Sequence, residues 1–192
     1  RDAAGAASAR IYAVPGDELA TYHLEPATAG LSRDGRRALA AACDYLPAGH
    51  AGDGDRAPAR AVRAVADGDL PIGRLAEALT AHTRGYSVLE DLFADPGVSD
   101  VFASAPASEN DLRVTVEGET MRTNVRLTEA GAATLASQLR RASGRAFSRA
   151  NPTLDAVATE VGAADRVRAA GVTDPVTEGT GFAFRAHSGP TP

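Results

Sequence analysis

Residues 112–125 decide how the second half of the chain folds, and they read Leu112-Arg-Val-Thr-Val116, Glu117-Gly-Glu119 and Thr120-Met-Arg-Thr-Asn-Val125. Apolar and polar side chains alternate on both sides of the short Glu-Gly-Glu segment. Successive side chains of a β-strand point to opposite faces of a sheet, so this alternation predicts a hairpin with one apolar face. We therefore expect strands to dominate this half of the chain.

A helix follows the hairpin in sequence. Thr128 is a candidate N-cap, and Gly144 is a natural residue to end the helix in the left-handed conformation. The apolar positions between them recur at helical spacing on one face: Ala132, Leu135, Leu139 and Ala142. Val167 then predicts one further strand. The second half is thus expected to hold strands around one or two helices.

The closing strand has two distinct faces. Phe182 and Phe184 alternate along it, so they share one face, while Ala183 and Arg185 share the other. The guanidinium of Arg185 is a rigid fork of donors that matches phosphate oxygens. This residue is therefore a candidate for phosphate binding.

Before Gly97, apolar residues recur mostly at the spacing of a helix rather than that of a strand. Two β-prone runs flank Pro15-Gly-Asp17 and predict a hairpin, and Ser32 is a candidate N-cap for the first of several helices. Ser87-Val-Leu-Glu90 matches a capping box, in which a serine and a glutamate satisfy the first amides of a helix. Together these patterns predict an α+β protein. We expect a hairpin plus a helical module at residues 1–96, an α+β domain at 97–186, and a linker to a further domain at 187–192.

The composition limits what the chain can do. All 20 basic residues are arginine, so a Walker A loop, which needs a lysine, is excluded from these 192 residues. A single cysteine, Cys43, excludes an internal disulfide and a cysteine-based zinc site. The net charge of −5 predicts no generic affinity for nucleic acid, although residues 122–149 hold six arginines and one glutamate.

No pattern supports an independent enzyme. His23, His50, His82 and His187 show no metal-ligand spacing, and no Gly-x-Ser-x-Gly elbow is present. His82 extends an apolar helical stripe, and Cys43 lies on an apolar helical face, so both are expected to pack rather than react. We therefore predict no catalytic residue and no metal ligand in the chain.

Several short motifs in the second half resemble a known family. They are Thr123-Asn-Val-Arg126, Gly144-Arg-Ala-Phe-Ser148, Asn151-Pro-Thr-Leu-Asp-Ala156, Asp165-Arg-Val167 and Gly181-Phe-Ala-Phe-Arg185. Their order is similar to that of the amino-terminal domain of the type II and type IV secretion ATPase superfamily, the hexameric motors of secretion systems, type IV pili and the archaellum. The similarity is strongest for haloarchaeal members and spans roughly residues 70–185.

The resemblance implies a fold and a role. It implies a PAS-like domain that precedes a P-loop domain, which would hold ATP and Mg²⁺ in the parent protein, with no cofactor held by this chain alone. Arg185 and Arg166 would contact the nucleotide phosphates, and Arg126 and Arg145 are further candidates for contact with a phosphate or with a neighbouring subunit. Arg168 remains an alternative to Arg166, because Val161-Gly-Ala-Ala-Asp165 replaces the usual lead-in to this strand.

The resemblance also implies partners and a location. The partners would be the P-loop domain of the same chain, a homo-hexamer and a membrane platform protein, and nucleic acid is not among them. The location would be the cytoplasm, at the periphery of the cytoplasmic membrane. The alternative is a stand-alone interaction module that recruits secretion or pilus proteins without any nucleotide.

Overall fold

The computed structural model describes residues 7–13, 15–46 and 54–187. The expected linker at 187–192 therefore lies, after its first residue, outside the described residues. The described elements follow in chain order: β1 (Ser8–Tyr12), β2 (Thr21–Glu25), α1 (Arg33–Tyr45), α2 (Ala57–Val65), α3 (Ile72–Thr83), α4 (Val88–Phe93), β3 (Val98–Ala103), β4 (Asp111–Val116), β5 (Glu119–Arg126), α5 (Glu129–Ser143), β6 (Thr153–Val161), β7 (Ala164–Val172) and β8 (Gly181–Ala186).

The eight strands form one sheet in the order β1-β2-β5-β4-β3-β8-β7-β6. All neighbours are antiparallel except β2 and β5, which are parallel. The predicted hairpin is confirmed as β4 and β5, and its turn residues Glu117 and Gly118 both have positive φ, of 51° and 89°. Such a two-residue turn matches the twist of the strands it joins. The expected α+β class is correct.

The chain divides into two compact units at positions other than residues 96 and 97. A sheet unit comprises Arg1–Pro26 and Ser87–Pro192, and a helical unit comprises Ala27–Tyr86. The first hairpin belongs to the sheet unit because β2 pairs with β5, and α4 belongs there because it packs against β3 and β6. The helical unit therefore begins after the hairpin and ends before α4.

Helix α5 begins and ends as predicted. Thr128 accepts a hydrogen bond from the Gly131 amide at 2.9 Å, and Gly144 has the left-handed φ of 65°. Its buried face differs at two positions from the prediction, because Gln138 is buried and Ala142 is exposed. Helix α4 differs more, since Ser87 has φ 54° and its side chain makes no cap hydrogen bond, so the predicted capping box is wrong.

The helical unit has a core of its own. Ser32 caps α1 as predicted, accepting a hydrogen bond from the Gly35 amide at 3.0 Å. The buried side chains of α1, α2 and α3 form one apolar cluster, which includes Leu39, Ala42, Ala61, Val62, Leu75 and Leu79. Cys43 packs at the edge of this cluster, and burial, together with the neighbouring Asp44, raises the pKa of its thiol. A raised pKa keeps the thiol protonated, which fits the expected packing role.

Candidate functional site

One face of the sheet is buried, and the other carries exposed arginines. Alternate residues of each central strand, such as Val101, Val114, Val167 and Phe184, are at most 2 % exposed and form the buried face. The intervening residues face the other way. Seven exposed arginines lie on that second face, which we call the arginine face: Arg10, Arg113, Arg122, Arg126, Arg166, Arg168 and Arg185. Four carboxylates share it: Glu25, Asp100, Asp111 and Asp155.

Arg185 lies on this face and pairs with an acid. It stands directly opposite Asp100 across β8 and β3, and its Nε donates to Asp100 Oδ1 at 2.6 Å. The Asp100 side chain is 11 % exposed, whereas that of Arg185 is 67 % exposed. The second carboxylate oxygen of Asp100 accepts from the Ser99 hydroxyl at 2.7 Å. A fixed carboxylate thus orients the Arg185 guanidinium through its Nε, while the outer end of the guanidinium is exposed.

Arg166 lies on the same face as Arg185. Arg168 is directly opposite Arg185 across β7 and β8, and Arg166 is two residues before Arg168, so all three side chains point the same way. The Arg166 carbonyl accepts from the His187 amide at 2.9 Å, which fixes the backbone where β8 ends. Within the described parts of the chain, the exposed Arg166 guanidinium makes no hydrogen bond or ion pair.

Arg168, the alternative to Arg166, is held by an acid. Its Nε and Nη2 donate to the two oxygens of Asp155 at 3.1 and 2.8 Å. This bidentate pair lowers the pKa of Asp155 and raises that of Arg168, and the field of Arg145 lowers the pKa of Asp155 further. Arg145, a predicted phosphate contact, is therefore electrostatically coupled to the Asp155 pair.

Arg126 is remote from the pair formed by Arg166 and Arg185. Its Nε donates to Asp111 Oδ1 at 2.9 Å, at the end of the β4–β5 hairpin that is opposite the turn. Between Arg126 on β5 and Arg185 on β8 lie β4 and β3, and three strand spacings amount to about 14 Å. Of the four predicted residues, Arg166 and Arg185 thus lie on adjacent strands, Arg126 is separated from them by β4 and β3, and Arg145 lies between α5 and β6.

Short polar side chains commonly bond to nearby backbone, and in the pair Thr123-Asn124 near the end of β5 only Thr123 does so. The Thr123 hydroxyl accepts from the Val125 amide at 3.1 Å and donates to the Leu112 carbonyl at 2.8 Å. The Asn124 amide instead pairs with β2, accepting from the Leu24 amide at 2.7 Å and donating to the Leu24 carbonyl at 3.0 Å. Asn124 therefore acts as an extra rung between β2 and β5.

Two arginines that the sequence prediction did not select occupy the middle of the face. Arg113 and Arg122 are directly opposite each other on β4 and β5. Both are polar positions in the alternating hairpin, so the period-two pattern places them on the polar face. Their pairing could have been found from the turn position, because a two-residue turn fixes the register of a hairpin.

Neither a metal site nor a membrane-spanning helix is found in the described residues. Across residues 7–13, 15–46 and 54–187, no group of three or more His, Cys, Asp or Glu side chains is placed to hold a metal ion. In the same residues, no helix is both long and apolar enough to cross a bilayer. No protein-family model and no curated protein matches this chain.

Proposed function

We propose that this chain is the non-catalytic amino-terminal part of a hexameric ATPase of a secretion or pilus system, and that it presents Arg166 and Arg185 to nucleotide phosphates. The P-loop domain of the parent protein would bind ATP and Mg²⁺. One observation carries the proposal: both guanidiniums project from the same exposed face, on adjacent strands, next to the end of β8.

The contacts of the two arginines favour complementary roles. Arg185 is oriented by Asp100 through Nε, which leaves its outer end free to reach a phosphate in the geometry of a bidentate contact. Arg166 has no acidic partner in the described residues, so a phosphate would not have to displace a carboxylate from it. Positively charged groups held in place before reaction are effective at stabilising charge on a transferring phosphoryl group.

Arg126 and Arg145 have weaker support as phosphate ligands. Arg126 is bonded to Asp111 and lies across the sheet from Arg185, while Arg145 is coupled to Asp155. In the proposed motor these two would serve contacts with a neighbouring subunit instead. The motor itself would act in the cytoplasm against a membrane platform protein.

The test is ATP hydrolysis by the full protein encoded by the gene. We expect Arg166→Gln and Arg185→Gln each to reduce turnover by about tenfold or more, since a charge-assisted bond contributes about 1.5–3 kcal/mol. Arg10→Gln, which removes an exposed arginine from the same face on β1, is the matched control and should leave turnover unchanged. Equal turnover in all three variants, or a gene that encodes no P-loop, would overturn the proposal.

A second function is favoured by a different observation. Four arginines of the face are already paired with aspartates, namely Arg122, Arg126, Arg168 and Arg185. A surface of satisfied ion pairs suits a protein–protein contact as well as a phosphate site. The alternative is therefore an interaction module for secretion or pilus proteins, and it gains support if the full protein lacks ATPase activity and co-purifies with a membrane platform protein.

A further inference from the structure

A row of side chains crosses five strands of the arginine face from the edge of the sheet to its middle. Tyr12 is opposite Thr21, Thr21 pairs with Arg122, Arg122 is opposite Arg113, and Arg113 is opposite Phe102. Neighbouring strands lie about 4.8 Å apart, so the strands that carry Tyr12 and Phe102 are about 19 Å apart, and the strands that carry Arg122 and Arg113 lie between them.

The two guanidiniums in the row are not neutralised as a pair. Arg113 makes no hydrogen bond or ion pair within the described residues. Arg122 has one acidic neighbour, Asp17, at 3.7 Å, and both of those side chains are about half exposed, so solvent screens the interaction. Like charges directly opposite each other destabilise a sheet. An anion bound between Arg113 and Arg122 would remove that cost.

The two rings at the ends of the row are accessible. Tyr12 is 47 % exposed and meets the His23 ring edge-on, with the ring centroids 6.1 Å apart. Phe102 is partly exposed, and its other cross-strand neighbour, Ala183, is too small to cover the ring. Both rings therefore offer a surface on which a flat group can stack.

The charge of the arginine face differs from that of the unit that carries it. The sheet unit, Arg1–Pro26 with Ser87–Pro192, contains 12 arginines and 18 aspartates and glutamates. The arginine face contains seven of those arginines and four of the acids, and a fifth acid, Asp17 between β1 and β2, lies beside Arg122. An acidic protein thus concentrates its positive charge on one side of a sheet, which the net charge of the whole chain conceals.

We propose that this row binds single-stranded nucleic acid, with backbone phosphates on Arg113 and Arg122 and bases stacked on Phe102 and Tyr12. Positive charge flanked by aromatic platforms on an exposed sheet is the chemistry that single strands use. An acidic polypeptide would use the arginines and leave the two rings without a role. The proposal does not depend on the ATPase function, because it needs neither a P-loop nor Arg166.

The experiment measures fluorescence anisotropy of a labelled oligothymidylate and a labelled oligouridylate of about 15 nucleotides, a length that covers one such site. The 192-residue chain is titrated at about 50 mM and about 200 mM salt, the range over which phosphate contacts change affinity most visibly. The variants are Arg113→Gln/Arg122→Gln, Phe102→Leu and Tyr12→Leu. Arg140→Gln/Arg141→Gln removes the same charge from the exposed last turn of α5 and is the control. Circular dichroism confirms that each variant folds.

We expect dissociation constants of roughly 1–100 µM at the lower salt concentration. The double arginine variant should bind about tenfold or more weakly, and its slope of log affinity against log salt should be smaller by about 1.4, because two phosphate contacts are lost. Each loss of a ring should weaken binding about fivefold or more, and the control pair should bind like the original chain.

Five outcomes would overturn the proposal. The first is no binding at about 100 µM protein, which is the weak end of ordinary non-specific affinity. The second is equal weakening in the control pair, and the third is binding to duplex DNA as tight as to single strands. The fourth is displacement by polyglutamate as effective as by unlabelled oligonucleotide. That result would identify an acidic polypeptide as the partner. Competition by free ATP as effective as by unlabelled oligonucleotide would likewise overturn the proposal, because a mononucleotide would then supply the phosphate and the base that the row binds.

Discussion

Asp100 and Arg185 face each other across β3 and β8, and the nearly buried carboxylate accepts from the exposed guanidinium at 2.6 Å. The nearly buried Asp100 thus fixes the orientation of the exposed Arg185 guanidinium. If Arg185 reaches a phosphate, Asp100 is the positioning residue that sets its direction, and it does so from within the sheet.

The first prediction concerns this pair. Asp100→Asn should destabilise the chain by about 1 kcal/mol, because an exposed partner and solvent screening limit what the ion pair contributes. Urea unfolding of Asp100→Asn, Arg185→Gln and the double variant forms a double-mutant cycle. A coupling energy indistinguishable from zero would show that Asp100 does not hold Arg185 in solution.

The second prediction concerns the extra rung between β2 and β5. Asn124→Ala removes both bonds to the Leu24 backbone and should lower the free energy of unfolding by about 1–3 kcal/mol, since a partly buried amide and carbonyl lose their partner. Asn124→Asp keeps the acceptor but places a carboxylate against the Leu24 carbonyl, so it should be at least as destabilising. Asn110, whose amide bonds to the Pro106 carbonyl four residues away, supplies the control Asn110→Ala. If both alanine variants lose the same free energy of unfolding, the bonds of Asn124 to β2 stabilise the fold no more than a local side-chain bond does.

Local features of this fold could be predicted from the sequence because they depend on neighbouring residues. The β4–β5 turn depends on Glu117 and Gly118 alone. The cap of α5 depends on Thr128 and on the Gly131 amide three residues later. The failure at Ser87 has the same origin, because a motif match says nothing of the positive φ that the residue adopts in the folded chain.

Long-range features could not be predicted in this way. No local pattern indicates that β2 joins β5, because that pairing brings together segments 100 residues apart and includes the Asn124 rung. The common face of Arg166 and Arg185 was predicted through the family resemblance and not from a local pattern, and the pairing of β7 with β8 explains it. No local sequence pattern indicates that Asp100 bonds to Arg185, which lies 85 residues later in the chain.

The third prediction concerns the contact between α4 and the β6–β7 turn. Gly162 has φ 59°, and a Cβ there would lie 2.5 Å from both the Ala94 nitrogen and the Glu90 carbonyl oxygen. The Gly162 amide also donates to the Glu90 carboxylate at 2.7 Å. Gly162→Ala should therefore cost about 2–4 kcal/mol of stability, from overpacking against backbone as well as from the left-handed φ.

A matched variant separates the two causes of that cost. Gly118 has φ 89°, and a Cβ added there would meet no atom within 4 Å, so Gly118→Ala carries the conformational cost alone. Denaturant unfolding of both variants should show a clearly larger loss for Gly162→Ala. Equal losses would mean that α4 moves away from the turn at little cost.

The last prediction concerns the charge of Asp155. Its bidentate bond to Arg168, and to a lesser degree the field of Arg145, lower its pKa in the folded chain. A lowered pKa means that the pair stabilises the fold above the pKa of the unfolded chain, and that this stabilisation is lost as the pH falls through the folded pKa. Carboxyl NMR titration should find Asp155 below the ordinary aspartate range.

Two variants divide the shift between its causes. Arg168→Gln removes the hydrogen bonds and should raise the Asp155 pKa toward its ordinary value, whereas Arg145→Gln should raise it by a smaller amount. Added salt should reduce the effect of Arg145 more than that of Arg168, because a through-space field is screened and a direct bond is screened less. A larger rise in Arg145→Gln than in Arg168→Gln would mean that Arg145, not Arg168, is the partner of Asp155 in solution, and would return Arg168 to the arginines available for phosphate.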